Sequence, residues 1–65
     1  MTTAELSERA ELLGHHVSVA LDDGSRLDDC ELVSLPRRKL ATVWLFVSGN
    51  DVFVPGNRIR DLWEA

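Results

Sequence analysis

Cysteine and long apolar runs are nearly missing from this 65-residue sequence, and each shortage excludes something. Cys30 is the one cysteine, so no internal disulfide can form, and a lone thiol favours a reducing compartment. No run of about 18 apolar residues is present that would span a bilayer. The N-terminus lacks the basic start and apolar run of a secretory signal. We therefore expect a cytoplasmic protein with no membrane contact.

Basic residues are also in short supply. Seven of them face eleven acidic residues, for a net charge of -4. This balance counts against non-specific nucleic-acid binding, which depends on neutralising phosphates. The charges are clustered, however: residues 37–39 and the pair Arg58 and Arg60 are basic, whereas acids crowd residues 22–31. Local patches of both signs are expected.

The length allows a single domain, residues 1–65. A chain of this size buries only about 60% of the surface that it exposes when unfolded, so its stability is marginal and self-association is favoured. Its composition, 45% hydrophobic and 28% charged, is typical of a globular protein.

The first residues have the pattern of a helix. Thr2 and Glu5 have the spacing of a capping box, and Leu6, Ala10 and Leu13 recur at helical spacing. Gly14 is suited to a left-handed C-terminal cap. The pattern predicts a helix over residues 3–13.

From His16 onward the apolar period is two, which indicates strands. The Asp-Gly pair in residues 22–25 predicts a primed hairpin turn, and the broken alternation after Leu27 predicts a bulge or a sharp bend near Asp28 to Cys30. Residues 40–47 are rich in β-branched and aromatic side chains, as expected for a strand buried on much of both faces. A turn at residues 48–51, a short strand at 52–54, a corner at 55–57 and a last strand complete five strands.

Two segments resemble the motifs of the Sm-like family, which includes the bacterial Hfq proteins. The first reads Leu13-Gly14-x-x-Val17-x-Val19-x-Leu21-x-x-Gly24-x-x-Leu27, and the second reads Val52-Phe53-Val54-Pro55-Gly56-Asn57-Arg58-Ile59-Arg60-Asp61-Leu62. The resemblance covers most of the chain. It implies a small five-stranded Sm-like or SH3-like barrel with an N-terminal helix, and a role in assembly and RNA association.

The chain departs from the family pattern at functional positions. Pro55 stands where the family has an arginine, Asp29 stands where it has a glycine, and residues 34–39 lack the Asp-x-x-x-Asn stretch of the uridine pocket. The sequence is also similar to PRC-barrel domains, through its Gly14 to Val17 segment and its Val54-Pro55-x-x-x-Ile59 segment. That resemblance implies protein contacts instead of RNA binding.

Two sets of candidate binding residues follow. The basic side chains that would meet RNA or an acidic partner are Arg37, Arg38, Lys39, Arg58 and Arg60. We expect Arg58 and Arg60 to share a face of the last strand. The residues expected at a homo-oligomer interface are Trp44, Val52, Phe53, Val54 and Trp63, because aromatic side chains are enriched at interfaces and an unpaired strand edge invites addition of another strand.

The remaining polar residues do not form a catalytic or metal-binding pattern. His15 and His16 point to opposite faces of an extended chain and do not readily share an ion, and the acids around Cys30 would raise its thiol pKa. The acids of residues 22–31 are ascribed to turns and a solvated strand face, without the spacing of a calcium loop. We expect no enzymatic activity, cofactor, metal or small-molecule substrate, and a binding role with RNA or protein as partner.

Overall fold

The computed structural model describes residues 1–37 and 41–65. They form one mainly β domain, in which five antiparallel strands make a single sheet. The strands are β1 (His16–Leu21), β2 (Arg26–Ser34), β3 (Thr42–Val47), β4 (Asn50–Pro55) and β5 (Ile59–Glu64), in the sheet order β4-β3-β2-β1-β5. Strand β3 agrees with the predicted segment except at its start, since Ala41 precedes it and Leu40 lies outside the described residues.

The N-terminal helix begins as predicted but is much shorter. The Thr2 hydroxyl accepts from the Glu5 amide and the Glu5 carboxylate accepts from the Thr2 amide, which completes the capping box. Helix α1 (Thr3–Ser7) then gives way to a separate 3-10 turn, Ala10–Leu12. Of the predicted apolar stripe only Leu6 is buried, whereas Ala10 and Leu13 are exposed. Because Ala10 and Leu13 are exposed, continuing the helix would bury no further apolar surface, and the chain instead turns toward the sheet.

The turn between β1 and β2 differs in type from the predicted one. Of its residues only Gly24 has a positive φ, +90°, whereas a primed two-residue turn would also require one at Asp23. The Gly24 amide donates to Leu21 O and the Leu21 amide donates to Ser25 O, which makes a three-residue loop. The Asp23 carboxylate accepts from the Ser25 amide and hydroxyl and stabilises this wider turn.

The predicted bulge in β2 is confirmed. Val17 pairs with Cys30 and Val19 pairs with Leu27, so two residues of β2, Asp28 and Asp29, lie opposite a single residue of β1. Asp29 has a φ of +55°, the left-handed region that an aspartate tolerates better than most residues. The glycine that the Sm-like pattern places here would meet the same backbone requirement.

Strands β3 and β4 form the one described ladder without a register shift, from Thr42 opposite Pro55 to Val47 opposite Asn50. Ser48 (φ +50°) and Gly49 (φ +82°) both lie in the left-handed region and form the two-residue turn between them. Strand β4 is therefore longer than the predicted 52–54, since it takes in Asn50 and Asp51 from the predicted turn and Pro55 from the predicted corner. A 3-10 turn at Gly56–Arg58 makes the corner, one residue later than expected.

The core lies on one face of the sheet, beneath α1. Its fully or nearly fully buried residues are Leu6, Val17, Val19, Cys30, Leu32, Val43, Leu45, Val54, Ile59 and Leu62. At the corner, Gly56 contacts the helix so closely that a Cβ there would stand 2.9 Å from Leu6 Cδ1. The core therefore ties α1 to the β4–β5 corner.

Candidate functional site

The predicted basic residues do not form one surface in the described residues. Arg37 is exposed just beyond β2, while Arg38 and Lys39 lie outside the described residues. Arg58 belongs to the 3-10 turn before β5, so it does not alternate with Arg60 on one strand, and that expectation is wrong. Arg60 is exposed on β5.

Arg58 is engaged within the chain. Its Nε lies 3.4 Å from Asp22 Oδ1 and its Nη2 lies 3.5 Å from Asp23 Oδ2. The Asp22 amide also donates to the Arg58 carbonyl at 2.8 Å, which holds the two turns together. Because its guanidinium already contacts two carboxylates, whose combined charge exceeds its own, Arg58 is poorly placed to serve an external anion.

The predicted interface residues separate into different environments. Val54 is buried and faces the core, and Val52 is half-buried. Trp44 and Phe53 lie on the opposite, outer face, with ring centroids 5.4 Å apart. Trp63 is half-buried on β5, with the Arg26 guanidinium 5.2 Å from its ring centroid. Only Trp44 and Phe53 therefore share a surface.

Strand β3 is buried on one face only, which corrects the expectation of burial on much of both faces. Val43 and Leu45 are fully buried, while Trp44 is 37% exposed and Phe46 is 42% exposed. On β4, Phe53 is 57% exposed. On the outer face Trp44, Phe46 and Phe53 form one exposed aromatic surface, which extends from β3 to the edge strand β4 and which we call the aromatic shelf.

Two carboxylates flank this shelf. In the strand register Glu31 lies opposite Phe46, and Phe46 lies opposite Asp51, so an acid stands on each side of the Phe46 ring. The Trp44 indole Nε1 donates to Asp51 Oδ1 at 3.0 Å. We call the surface made by Glu31, Trp44, Phe46, Asp51 and Phe53 the acidic aromatic face.

A crevice of about 360 Å³ continues this face toward β1, and it is lined by His16, Asp28, Asp29, Glu31, Phe46 and Ser48. His16 Nδ1 lies 2.6 Å from Asp29 Oδ1. That hydrogen bond, together with the negative charge of Asp29, raises the pKa of His16 above its ordinary value of 6.5. The crevice therefore holds one imidazole, that of His16, among three carboxylates.

Sequence reasoning missed the acidic aromatic face, apart from Trp44 and Phe53. The signal was the i, i+2 spacing of Trp44 with Phe46 and of Asp51 with Phe53, since alternate residues of a strand share a face. Because apolar residues occupy both faces of β3, the alternation between the faces was not visible as polarity.

The other candidate groups have structural surroundings. Burial, with the charges of Asp28 and Asp29, raises the pKa of the Cys30 thiol. His15 Nδ1 lies 3.1 Å from Glu64 Oε2. Glu64 belongs to β5, whereas Asp29, the partner of His16, belongs to β2. Among residues 1–37 and 41–65, no group of three His, Cys, Asp or Glu side chains is arranged to hold a metal ion.

No protein-family model matches this chain, and no characterised protein matches it by sequence. Within the described residues, no helix has both the length and the apolar character needed to cross a membrane.

Proposed function

We propose that this chain is a non-enzymatic, Sm-like binding and assembly module that self-associates through the two edges of its sheet. The observation that carries the proposal is the strand order, β4-β3-β2-β1-β5. In the described part of the chain β4 pairs only with β3, and β5 pairs only with β1. Each edge strand thus presents backbone N–H and C=O groups to a further strand. On β5, Ile59 O already accepts from the Met1 amino group and Leu62 O accepts from the Arg9 side chain, so an added strand has to replace these contacts.

The two edges suit each other better than each suits itself. Pairing β4 of one copy with β5 of the next satisfies both edges, and repeating the contact closes a ring when the rotation allows. Pairing β4 with a second β4 would leave both β5 edges open.

Native mass spectrometry tests the assembly directly. The protein is expected as a closed oligomer, and Phe53→Lys is expected to shift it toward monomer, because a lysine on an edge strand opposes strand addition. Phe46→Lys is the matched control: it places the same residue on the same outer face, one strand inward, and should leave the mass unchanged. A wild-type monomer at micromolar concentration would refute the proposal.

RNA association is the second function that the resemblance favours, and Arg37 and Arg60 are its described exposed candidates. Binding of a short oligouridine should fall steeply with salt, since it depends on counterion release. Arg37→Gln and Arg60→Gln should each weaken it, whereas Arg26→Gln, which removes one charge from an arginine already paired with Asp28, serves as the charge-matched control. Absence of binding at low salt would remove RNA from the proposal and leave assembly untouched.

The PRC-barrel resemblance supports a third role, that of a protein-contact adaptor. The exposed shelf of Trp44, Phe46 and Phe53 favours it, because aromatic side chains are enriched at the cores of protein interfaces.

A further inference from the structure

We propose that the acidic aromatic face binds a basic, extended segment of a partner protein, with an arginine or lysine side chain lying over Phe46. The inference names a partner for the binding module proposed above and rests on that proposal. It concerns the outer face of β2, β3 and β4, whereas the assembly concerns the sheet edges.

The geometry around Phe46 suits a cation. Glu31 and Asp51 stand on the neighbouring strands directly opposite Phe46, and opposed residues have Cβ atoms about 5 Å apart. A guanidinium over the ring would meet the negative π-face and be within reach of both carboxylates. Asp51 uses Oδ1 to accept from Trp44, and a carboxylate accepts through both oxygens, so it can serve both groups.

The chain already contains this combination of groups elsewhere. The Arg26 guanidinium lies 5.2 Å from the Trp63 ring centroid, and its Nη2 lies 2.8 Å from Asp28 Oδ1. An arginine that contacts both an aromatic ring and a carboxylate therefore already occurs on this sheet. At Phe46 the ring and two carboxylates are in place, and the cation has to come from outside.

Charge complementarity decides the class of partner. RNA phosphates would be repelled by Glu31 and Asp51, and a second copy laid face to face would bring the same acids into contact. A segment matches the face when its residues i and i+2, which point to the same side of an extended chain, are basic and apolar in turn. Its basic side chain then lies over Phe46 while its apolar side chains cover Trp44 and Phe53. A second basic side chain reaches the crevice beside Phe46. There Asp28 is paired with Arg26 and Asp29 with His16, so Glu31 is the carboxylate that faces it.

The test uses a labelled seven-residue peptide, Arg-Ser-Leu-Ser-Arg-Ser-Leu, whose arginines and leucines share one side when it is extended. The control peptide has glutamate in place of both arginines. Fluorescence anisotropy at low ionic strength should show binding of the arginine peptide only. Glu31→Gln should weaken it about threefold or more, and Phe46→Leu, which keeps apolar bulk but removes the ring, should do the same. Glu8→Gln removes an equal charge from the exposed end of α1 and should have no effect.

Three outcomes would overturn the inference: no binding of the arginine peptide, equal binding of the glutamate peptide, or equal weakening by Glu31→Gln and Glu8→Gln. Competition by a short single-stranded RNA for the same face would also overturn it. Native mass measured on the same variants separates this result from the assembly. An intact oligomer without peptide binding rejects the inference alone, whereas a monomer that binds the peptide rejects the assembly alone.

Discussion

His16 and Asp29 form a hydrogen-bonded pair across the β2 bulge, with Nδ1 of the imidazole 2.6 Å from Oδ1 of the carboxylate. Asp29 holds the left-handed backbone conformation of the bulge, so one residue combines a backbone role with an electrostatic one. The pair joins β1 to β2 at the point where their register shifts.

The pKa of His16 should lie above 6.5, because Asp29 bonds to and attracts the imidazolium. The stabilisation from this pair is complete below the unfolded-state pKa and is lost as the pH rises through the raised folded-state pKa. An NMR titration of the His16 ring proton measures it. Asp29→Asn, which still tolerates a positive φ, should lower this pKa, while Asp61→Asn should not. An equal midpoint in wild type and Asp29→Asn would contradict the pairing.

The backbone at Asp29 makes a separate prediction about stability. Asp29→Val should destabilise the fold by about 1–2 kcal/mol, because a β-branched residue is strained in the left-handed region. Asp29→Gly relieves the strain and should cost far less, although it loses the contact with His16. Urea unfolding compares the two variants. Equal midpoints for them would show that the left-handed conformation is not required.

Gly56→Ala should destabilise the domain by about 1–3 kcal/mol, the range for overpacking a closely packed site. The added Cβ would lie 2.9 Å from Leu6 Cδ1 and 3.3 Å from the Ala41 carbonyl oxygen. Thermal unfolding followed by circular dichroism measures the change. Asn57→Ala is the control, because Asn57 is the next residue in the same turn and its side chain is exposed. A Gly56→Ala protein as stable as wild type would mean that the Leu6 side chain moves aside at no cost.

Cys30 should react with a disulfide reagent only when the protein unfolds. The thiol is buried, and burial and the nearby acids raise its pKa, so little thiolate is present at neutral pH. Reaction with an aromatic disulfide, followed by absorbance, should be slow in buffer and fast in concentrated urea. Fast reaction of the folded protein would place Cys30 outside the core.

The strands and the bulge could be predicted because alternation of side chains is local and needs only the sequence of one segment. The bulge at Asp28 and Asp29 disturbed that alternation visibly, and the Gly56 corner was marked by its neighbours Pro55 and Asn57. The β1–β2 turn type could not be read from Asp23-Gly24 alone, because the choice between a two-residue and a three-residue loop depends on hydrogen bonds to Ser25.

The helix length and the site depended on tertiary contacts. The spacing of Leu6, Ala10 and Leu13 was helical, but only Leu6 reaches a partner in the core, so the pattern had no packing to support it. Glu31 and Asp51 lie opposite Phe46 because of the register of three strands, and the sequence of one segment does not contain that register.

The pairing of β1 with β5 sets the order in which this chain can form. The β3–β4 hairpin joins residues that are close in sequence, across the Ser48–Gly49 turn, and should form early. The β1–β5 ladder instead joins residues as distant in sequence as Val17 and Glu64. It cannot form until β5, which follows the other four strands, has been synthesised. The two proposed assembly edges therefore become available at different times during synthesis. Strand β4 is made before β5, and its edge is exposed until β5 of a neighbouring copy can pair with it.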